Sequence, residues 1–173
     1  MSELTTIAKG KHVHLVARGT WEYAHRPGTT GIVSIAALTN DRKMVLVEQY
    51  RPPLQARVIE MPAGLAGDLA HASDESMENA ARRELFEETG FVAGEMTQVA
   101  VGPISAGLSD EVITLFIARH LTRQTDGGGD HTEDIITHLV PIDTIDAWLE
   151  EQQKLGKLVD LKIFSGLRFL LIG

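Results

Sequence analysis

The stretch Glu60–Phe91, EMPAGLAGDLAHASDESMENAARRELFEETGF, decides how this chain is read. Its second half carries a helical pattern over Asp74–Thr89. Met77, Ala81 and Leu85 recur every fourth residue and make one apolar stripe, which a helix turns to a core. Ser73 is a residue type that caps a helix N-terminus, and Asp74 and Glu75 suit the first turn of the helix dipole. Gly90 suits the left-handed conformation that stops a helix. Glu84, Glu87 and Glu88 disagree with this otherwise consistent pattern. They fall within an arc of about 100° beside the apolar stripe. They also lie in the last turns, where the dipole is already negative. Like charges at spacings of three and four repel by roughly 0.2–0.5 kcal/mol per pair, and more when partly buried. A pair of glutamates is ordinarily a solvated face. Position and clustering make this trio costly unless a cation is bound, and hard oxygen donors suit Mg²⁺, with Mn²⁺ as a substitute.

Outward from this helix the chain is mostly strands. Runs with period-2 or β-rich character cover His12–Ala17, Trp21–His25, Gly31–Leu38, Met44–Gln49 and Val58–Met61, then Thr97–Ile104, Val112–Arg119 and Ile135–Val140. Thr39-Asn40-Asp41-Arg42 has the composition of a turn joining two strands of a hairpin. Further helical patterns occupy Ile142–Gln153 and Val159–Leu171, within which Ile163–Leu170 reads as a core-packing face. Gly127-Gly128-Gly129 marks a mobile loop before the Ile135–Val140 strand. Strands and helices do not alternate, which argues against a doubly wound parallel sheet. The expected architecture is a mixed α/β sandwich with helices on the sheet faces. No repeat or linker divides the 173 residues, so one domain is expected over 1–173, with 1–30 a β-rich extension.

Composition narrows the function classes. With 16 Lys and Arg against 24 Asp and Glu, the net charge of −8 argues against nucleic acid, which needs clustered cations to displace counterions. A small phosphate ester is still compatible, because a bound divalent ion supplies positive charge. No run of about 18 apolar residues occurs, so no membrane span is expected. The opening MSELTTIAKGKH has no apolar core of signal-peptide type, and a cytoplasmic location is the default expectation. Zero cysteines exclude disulfides, thiolate metal sites and cysteine nucleophiles.

Arg83-Glu84-Leu85-Phe86-Glu87-Glu88-Thr89-Gly90-Phe91, with Glu75 eight residues before Arg83, resembles the Nudix box of the Nudix hydrolases. The resemblance implies an α/β/α sandwich with a mixed sheet, N-terminal antiparallel strands and Mg²⁺-dependent hydrolysis of a nucleoside diphosphate derivative. It implies metal binding by Glu84, Glu87 and Glu88, with Glu87 also catalytic, and structural roles for Gly90 and for a Glu75–Arg83 pair that holds loop against helix. The loop Leu65–Asp74 departs from the family spacing: ten residues separate Gly64 from Glu75, five more than the pattern. Loop length costs little free energy, so the helix is expected to survive and only the site's shape near the loop to change.

Val47–Pro53, Ile59–Gly64, Ile104–Glu111 and Thr132–Ile135 are similar to the ADP-ribose and nucleotide-sugar pyrophosphatase branch. That similarity implies a further metal ligand in the Ala63 carbonyl and a general base in Glu133. It also implies substrate contacts by Arg51, Glu60, Glu111 and Trp21. A guanidinium such as Arg51 grips phosphate oxygens in a bidentate way, though a solvated Arg beside Pro52-Pro53 is an equal reading. Trp21 and Tyr23 share one strand face and could stack a purine or pack a core. Glu133 has an ordinary alternative as a loop acid beside the glycines. Among the histidines, His131 near Glu133 is the one to watch. A homodimer built through the N-terminal strands is implied, and ADP-ribose, giving AMP and ribose 5-phosphate, is the leading substrate. GDP-mannose, another nucleotide sugar, NADH or a dinucleoside polyphosphate is the alternative substrate. A non-catalytic Nudix-fold binding module is the alternative class, disfavoured because no acid of the box is missing.

Overall fold

The computed structural model describes residues 3–67, 75–129 and 134–172. Its central layer is built by alternation. In β4 (Gly31–Leu38), Val33, Ile35 and Ala37 face one side and Ala36 and Leu38 the other, all buried. β5 (Lys43–Arg51) repeats this, with Val45 on the first side and Met44 and Leu46 on the second. Both faces of these strands therefore need a cover, and helices supply it. The hairpin between them turns at Thr39–Arg42, where Arg42 takes φ 60° and the Thr39 hydroxyl donates to Asp41 at 2.6 Å.

β6 (Ala56–Glu60), β8 (Phe91–Pro103), β9 (Val112–Arg123) and β11 (Leu158–Val159) complete the order β11-β6-β5-β4-β9-β8. β7 (Ala63–Ala66) pairs with β4, and β10 (Ile136–Pro141) pairs with β5. β4–β9 and β6–β11 are parallel and the other pairs antiparallel, so the sheet is mixed. One face is covered by α1 (Met77–Thr89) through Ala80, Ala81 and Leu85. The other is covered by α2 (Ile145–Lys154) and α3 (Lys162–Ile172) through Ile145, Leu149, Ile163, Leu167 and Leu170. The expected sandwich is present. A separate antiparallel sheet, β1 (Leu4–Lys9), β2 (His14–Arg18) and β3 (Trp21–His25), stands at the N-terminal end.

Boundaries differ from the sequence reading where tertiary pairing outweighs local preference. α1 begins at Met77, not Asp74, because Ser76 takes the cap position and accepts the Asn79 N–H at 3.2 Å. Ser73 and Asp74 lie outside the described residues. Glu75 is drawn back to Arg83 instead of joining the first turn. β1 is exposed along its whole length and shows no burial alternation, while β7, with sequence AGLA, has little β propensity and exists by pairing with β4. β8 starts at Phe91, six residues before the expected strand, and the Val159–Leu171 pattern divides between β11 and α3.

Candidate functional site

The last turns of α1 are held at both ends. Gly90, at φ 73°, sends its N–H to the Phe86 carbonyl. The segment after β9 then satisfies the exposed helix carbonyls: Gln124 N–H reaches Gly90 O at 2.8 Å, Gly128 N–H reaches Glu88 O at 2.9 Å, and Gly129 N–H reaches Glu87 O at 3.0 Å. Thr137 adds its hydroxyl to Glu88 O at 3.3 Å. Gly127, at φ 69°, passes so close that a Cβ there would lie 2.5 Å from the Thr89 carbonyl carbon. The triple glycine is therefore a clamp on the helix end, not the free loop its composition suggests.

Arg83 organises the box acids. Its guanidinium grips Glu75 in a bidentate way, Nε at 3.0 Å and Nη2 at 3.1 Å, and Nη2 also donates to the Leu65 carbonyl at 2.9 Å. Nη1 reaches Glu84 at 2.8 Å and Glu87 at 3.1 Å. Hydrogen bonding from Arg83 holds the Glu75 carboxyl below the ordinary range, and Glu75 in turn holds Arg83 charged. Loop, helix and acids are joined through one side chain.

Two acids meet the strand that follows Pro62. The Glu88 carboxylate, 3% exposed, accepts the Ala63 N–H at 3.2 Å. A Cβ on Gly64 would stand 2.0 Å from the Glu84 carboxyl carbon, so the absence of a side chain there makes a cradle for that carboxylate. Glu84 is largely sheltered and Glu87 is half exposed. Among the described residues no group of three or more His, Asp or Glu side chains is already gathered to hold a metal. The donor chemistry nonetheless fits a hard divalent ion, since sheltered carboxylates from one helix meet the Ala63–Gly64 backbone.

A cavity of about 400 Å³ opens over this contact, lined by Ala63, Gly64, Glu84, Arg51, Glu60, Arg26 and Lys162 among others. Arg51 and Glu60 form an ion pair at 2.7 Å, so the two are one unit on the wall. A second cavity of about 410 Å³ adjoins it at Arg26 and Ile32 and includes Glu111. There Arg26 pairs with Glu111 at 3.0 Å and His25 with Asp110 at 2.8 Å. Backbone bonds at Ala24 join β3 to the Ser105–Asp110 loop and so bring these pairs together.

The structure thus gathers Arg51, Glu60, Ala63, Glu84 and Glu88 and sets Glu111 next door through Arg26. Trp21 is 60% exposed on β3 and lines neither cavity, which removes the core-packing alternative within one chain. Glu133, His131 and most of the Leu65–Asp74 loop lie outside the described residues. Sequence reading passed over Arg26 and Lys162, since single basic residues beyond a motif carry no spacing signal. It also passed over Glu48. That carboxylate is 3% exposed and receives Arg57 at 2.6 Å, Lys157 at 2.7 Å and His138 at 2.9 Å. Burial pushes its pKa up, but the hydrogen bonds from Lys157, His138 and Arg57 prevail and hold it at about 2.

The molecule is an α/β/α sandwich in which one acid-rich helix docks its last turns on an Ala-Gly strand, beneath a cavity whose wall carries Arg26, Arg51 and Lys162 beside Glu60 and Glu84. The chain belongs to the NUDIX domain family, whose model matches residues 29–159. It is 36% identical over 92 residues to the ADP-ribose pyrophosphatase of Bacillus subtilis (strain 168), covering 53% of this chain and 47% of that protein. It is 36% identical over 106 residues to the methanol dehydrogenase activator of Bacillus methanolicus, covering 61% and 55%. The GDP-mannose pyrophosphatase of Enterobacter sp. (strain 638) is 30% identical over 139 residues, covering 76% of this chain and 68% of that protein. The chain thus spans about half the length of the first two. A crystal structure described as an ADP compounds hydrolase shares the fold with a TM-score of 0.72, over 97% of this chain and 89% of the other, at 19% identity.

Proposed function

We propose that this protein hydrolyses the diphosphate bond of a nucleoside diphosphate derivative, with ADP-ribose, giving AMP and ribose 5-phosphate, the preferred substrate. The observation that carries this reading is the meeting of Glu84 and Glu88 with Ala63–Gly64 below a cavity that also holds Arg51. Glu84, Glu87, Glu88 and the Ala63 carbonyl would hold Mg²⁺, which when bound neutralises charge on the diphosphate. Arg51 binds a phosphoryl oxygen, and Glu60, paired to it at 2.7 Å, fixes the guanidinium plane. Glu111 does the same for Arg26 at 3.0 Å. Glu133 takes the proton from the attacking water, which adds across the P–O–P bridge to leave two phosphomonoesters.

The similarity to a GDP-mannose pyrophosphatase over 76% of this chain favours a nucleotide sugar as the second reading. For Trp21 we propose an adenine contact made across a homodimer, supported by the exposure of Trp21, Leu4, Ile7 and Leu15 on the N-terminal sheet.

A hydrolysis panel with Mg²⁺, covering ADP-ribose, GDP-mannose, UDP-glucose, NADH and diadenosine polyphosphates, tests the assignment. ADP-ribose turnover to AMP, abolished by EDTA and reduced at least a hundredfold in Glu88→Gln, is expected. Preference for another compound transfers the substrate assignment to it. No turnover of any compound overturns the catalytic reading.

A further inference from the structure

The cavity above Glu84 receives three cations from three distant parts of the chain: Arg26 after β3, Arg51 at the end of β5, and Lys162 at the start of α3. Each is already paired with its own carboxylate, Arg26 with Glu111, Arg51 with Glu60, and Lys162 with Asp160. Pairing orients each side chain, so three cations stand in fixed positions on a wall they share with Glu60 and Glu84 before any ligand enters.

Lys162 is the member that local structure does not explain. It opens α3, where the helix dipole is positive and a cation is unfavourable. The neighbouring Asp160 takes up this cost twice over, accepting the Lys162 backbone N–H at 2.8 Å and also its ammonium. The Asp160 backbone is itself fixed to the sheet, its N–H on the Ile59 carbonyl at 2.9 Å, beside Glu60. An ammonium has three donors, and the hydrogen bond described for Nζ uses one of them, on Asp160. The side chain is three-quarters sheltered and lines the wall shared by the 400 Å³ cavity and a neighbouring apolar groove with Val101, Ile104 and Phe169.

We propose that Lys162 is a substrate-binding residue that donates to a phosphoryl oxygen of the bound diphosphate. Cleavage turns a bridging diphosphate into two phosphomonoesters, so the leaving phosphoryl group gains negative charge. A fixed ammonium on the wall binds that group more tightly as the charge develops. This inference rests on the diphosphatase reading, and its test separates the two.

The probe is inorganic pyrophosphate, titrated calorimetrically into the wild-type protein with and without Mg²⁺, alongside ADP-ribose kinetics. Lys162→Met, which keeps length and loses charge, is expected to weaken pyrophosphate binding by about tenfold or more and to lower kcat/KM comparably. Lys162→Arg is expected to restore binding to within about threefold. Asp160→Asn removes the competing negative charge while its amide oxygen still accepts from the ammonium and keeps it in place, and pyrophosphate binding is expected to hold or tighten. Wild-type affinity in a folded Lys162→Met protein overturns the proposal. So does equal loss in Lys162→Met and Asp160→Asn, which would mean that the pair serves only to start α3. Absence of pyrophosphate binding by the wild type overturns it as well. Lys162-dependent pyrophosphate binding without turnover of any substrate sustains the site while the diphosphatase reading falls. Turnover of ADP-ribose with unchanged kcat/KM in Lys162→Met has the reverse meaning.

Discussion

A single methyl group placed on Gly64 probes the site with almost no disturbance of the fold. The Cβ of Gly64→Ala would stand 2.0 Å from the Glu84 carboxyl carbon and 2.1 and 2.4 Å from its two oxygens. Ordinary contact begins at 3.4 Å, so the carboxylate must retreat by about 1.4 Å. What moves is the end of a flexible side chain, since Gly64 lies in β7 and no backbone atom obstructs the new methyl more closely. The direct loss includes the 2.8 Å hydrogen bond between Arg83 and the largely sheltered Glu84, which contributes about 0.5–1.5 kcal/mol, while Arg83 keeps Glu75 and Glu87. Removing a glycine from the unfolded chain returns about 0.4–1 kcal/mol. The melting temperature is therefore expected to stay within about 4 °C of wild type. Activity is expected to fall about a hundredfold, because a displacement of about 1 Å in a catalytic constellation has that effect. The assay is ADP-ribose hydrolysis at saturating Mg²⁺ with a thermal melt on the same preparation. Activity within threefold of wild type refutes the role of Glu84. A melting temperature lowered by more than about 10 °C refutes the claim that only a side chain moves.

Glu48 links stability to acid. Its carboxyl is depressed from 4.5 to about 2 in the folded chain, so its contribution is complete above pH 4.5 and is lost as the pH falls toward 2. That contribution is about 3 kcal/mol, and urea midpoints between pH 6 and pH 2.5 are expected to fall in wild type but much less in Glu48→Gln, which starts lower by about 3–5 kcal/mol. A parallel fall in both proteins would mean another group governs the acid limb. Gly127→Ala meets main-chain atoms of Glu88 and Thr89 at 2.5–2.6 Å from a left-handed φ. It is expected to cost at least about 2 kcal/mol and to free the helix end, read by hydrogen exchange at Gly128 and Gly129. Unchanged exchange there would show that the clamp does not depend on this glycine.

Much of the candidate site was legible because it is written along one helix. Glu84, Glu87 and Glu88 stand out by spacing and by an unfavourable dipole position, both of which are local properties. The alternation in Gly31–Leu38 and Met44–Gln49 marks sheet strands for the same reason. β7 was not legible, since AGLA acquires its strand conformation from β4 alone. Nor were the Glu48 cluster and the three paired cations, whose members lie between 2 and 109 positions apart in the chain, whereas the Glu75–Arg83 pair was implied by the resemblance.

Which segments alternate, where the acidic helix lies and which residues bear hard oxygen donors are all legible in the order of residues along the chain. They are legible because hydrophobic period and like-charge repulsion act over a few residues. That the triple glycine clamps the helix end, that Glu88 meets Ala63 and that Lys162 enters the cavity with Arg26 and Arg51 is visible in the fold alone. Those are contacts between elements, and their energy depends on packing that no window of sequence contains.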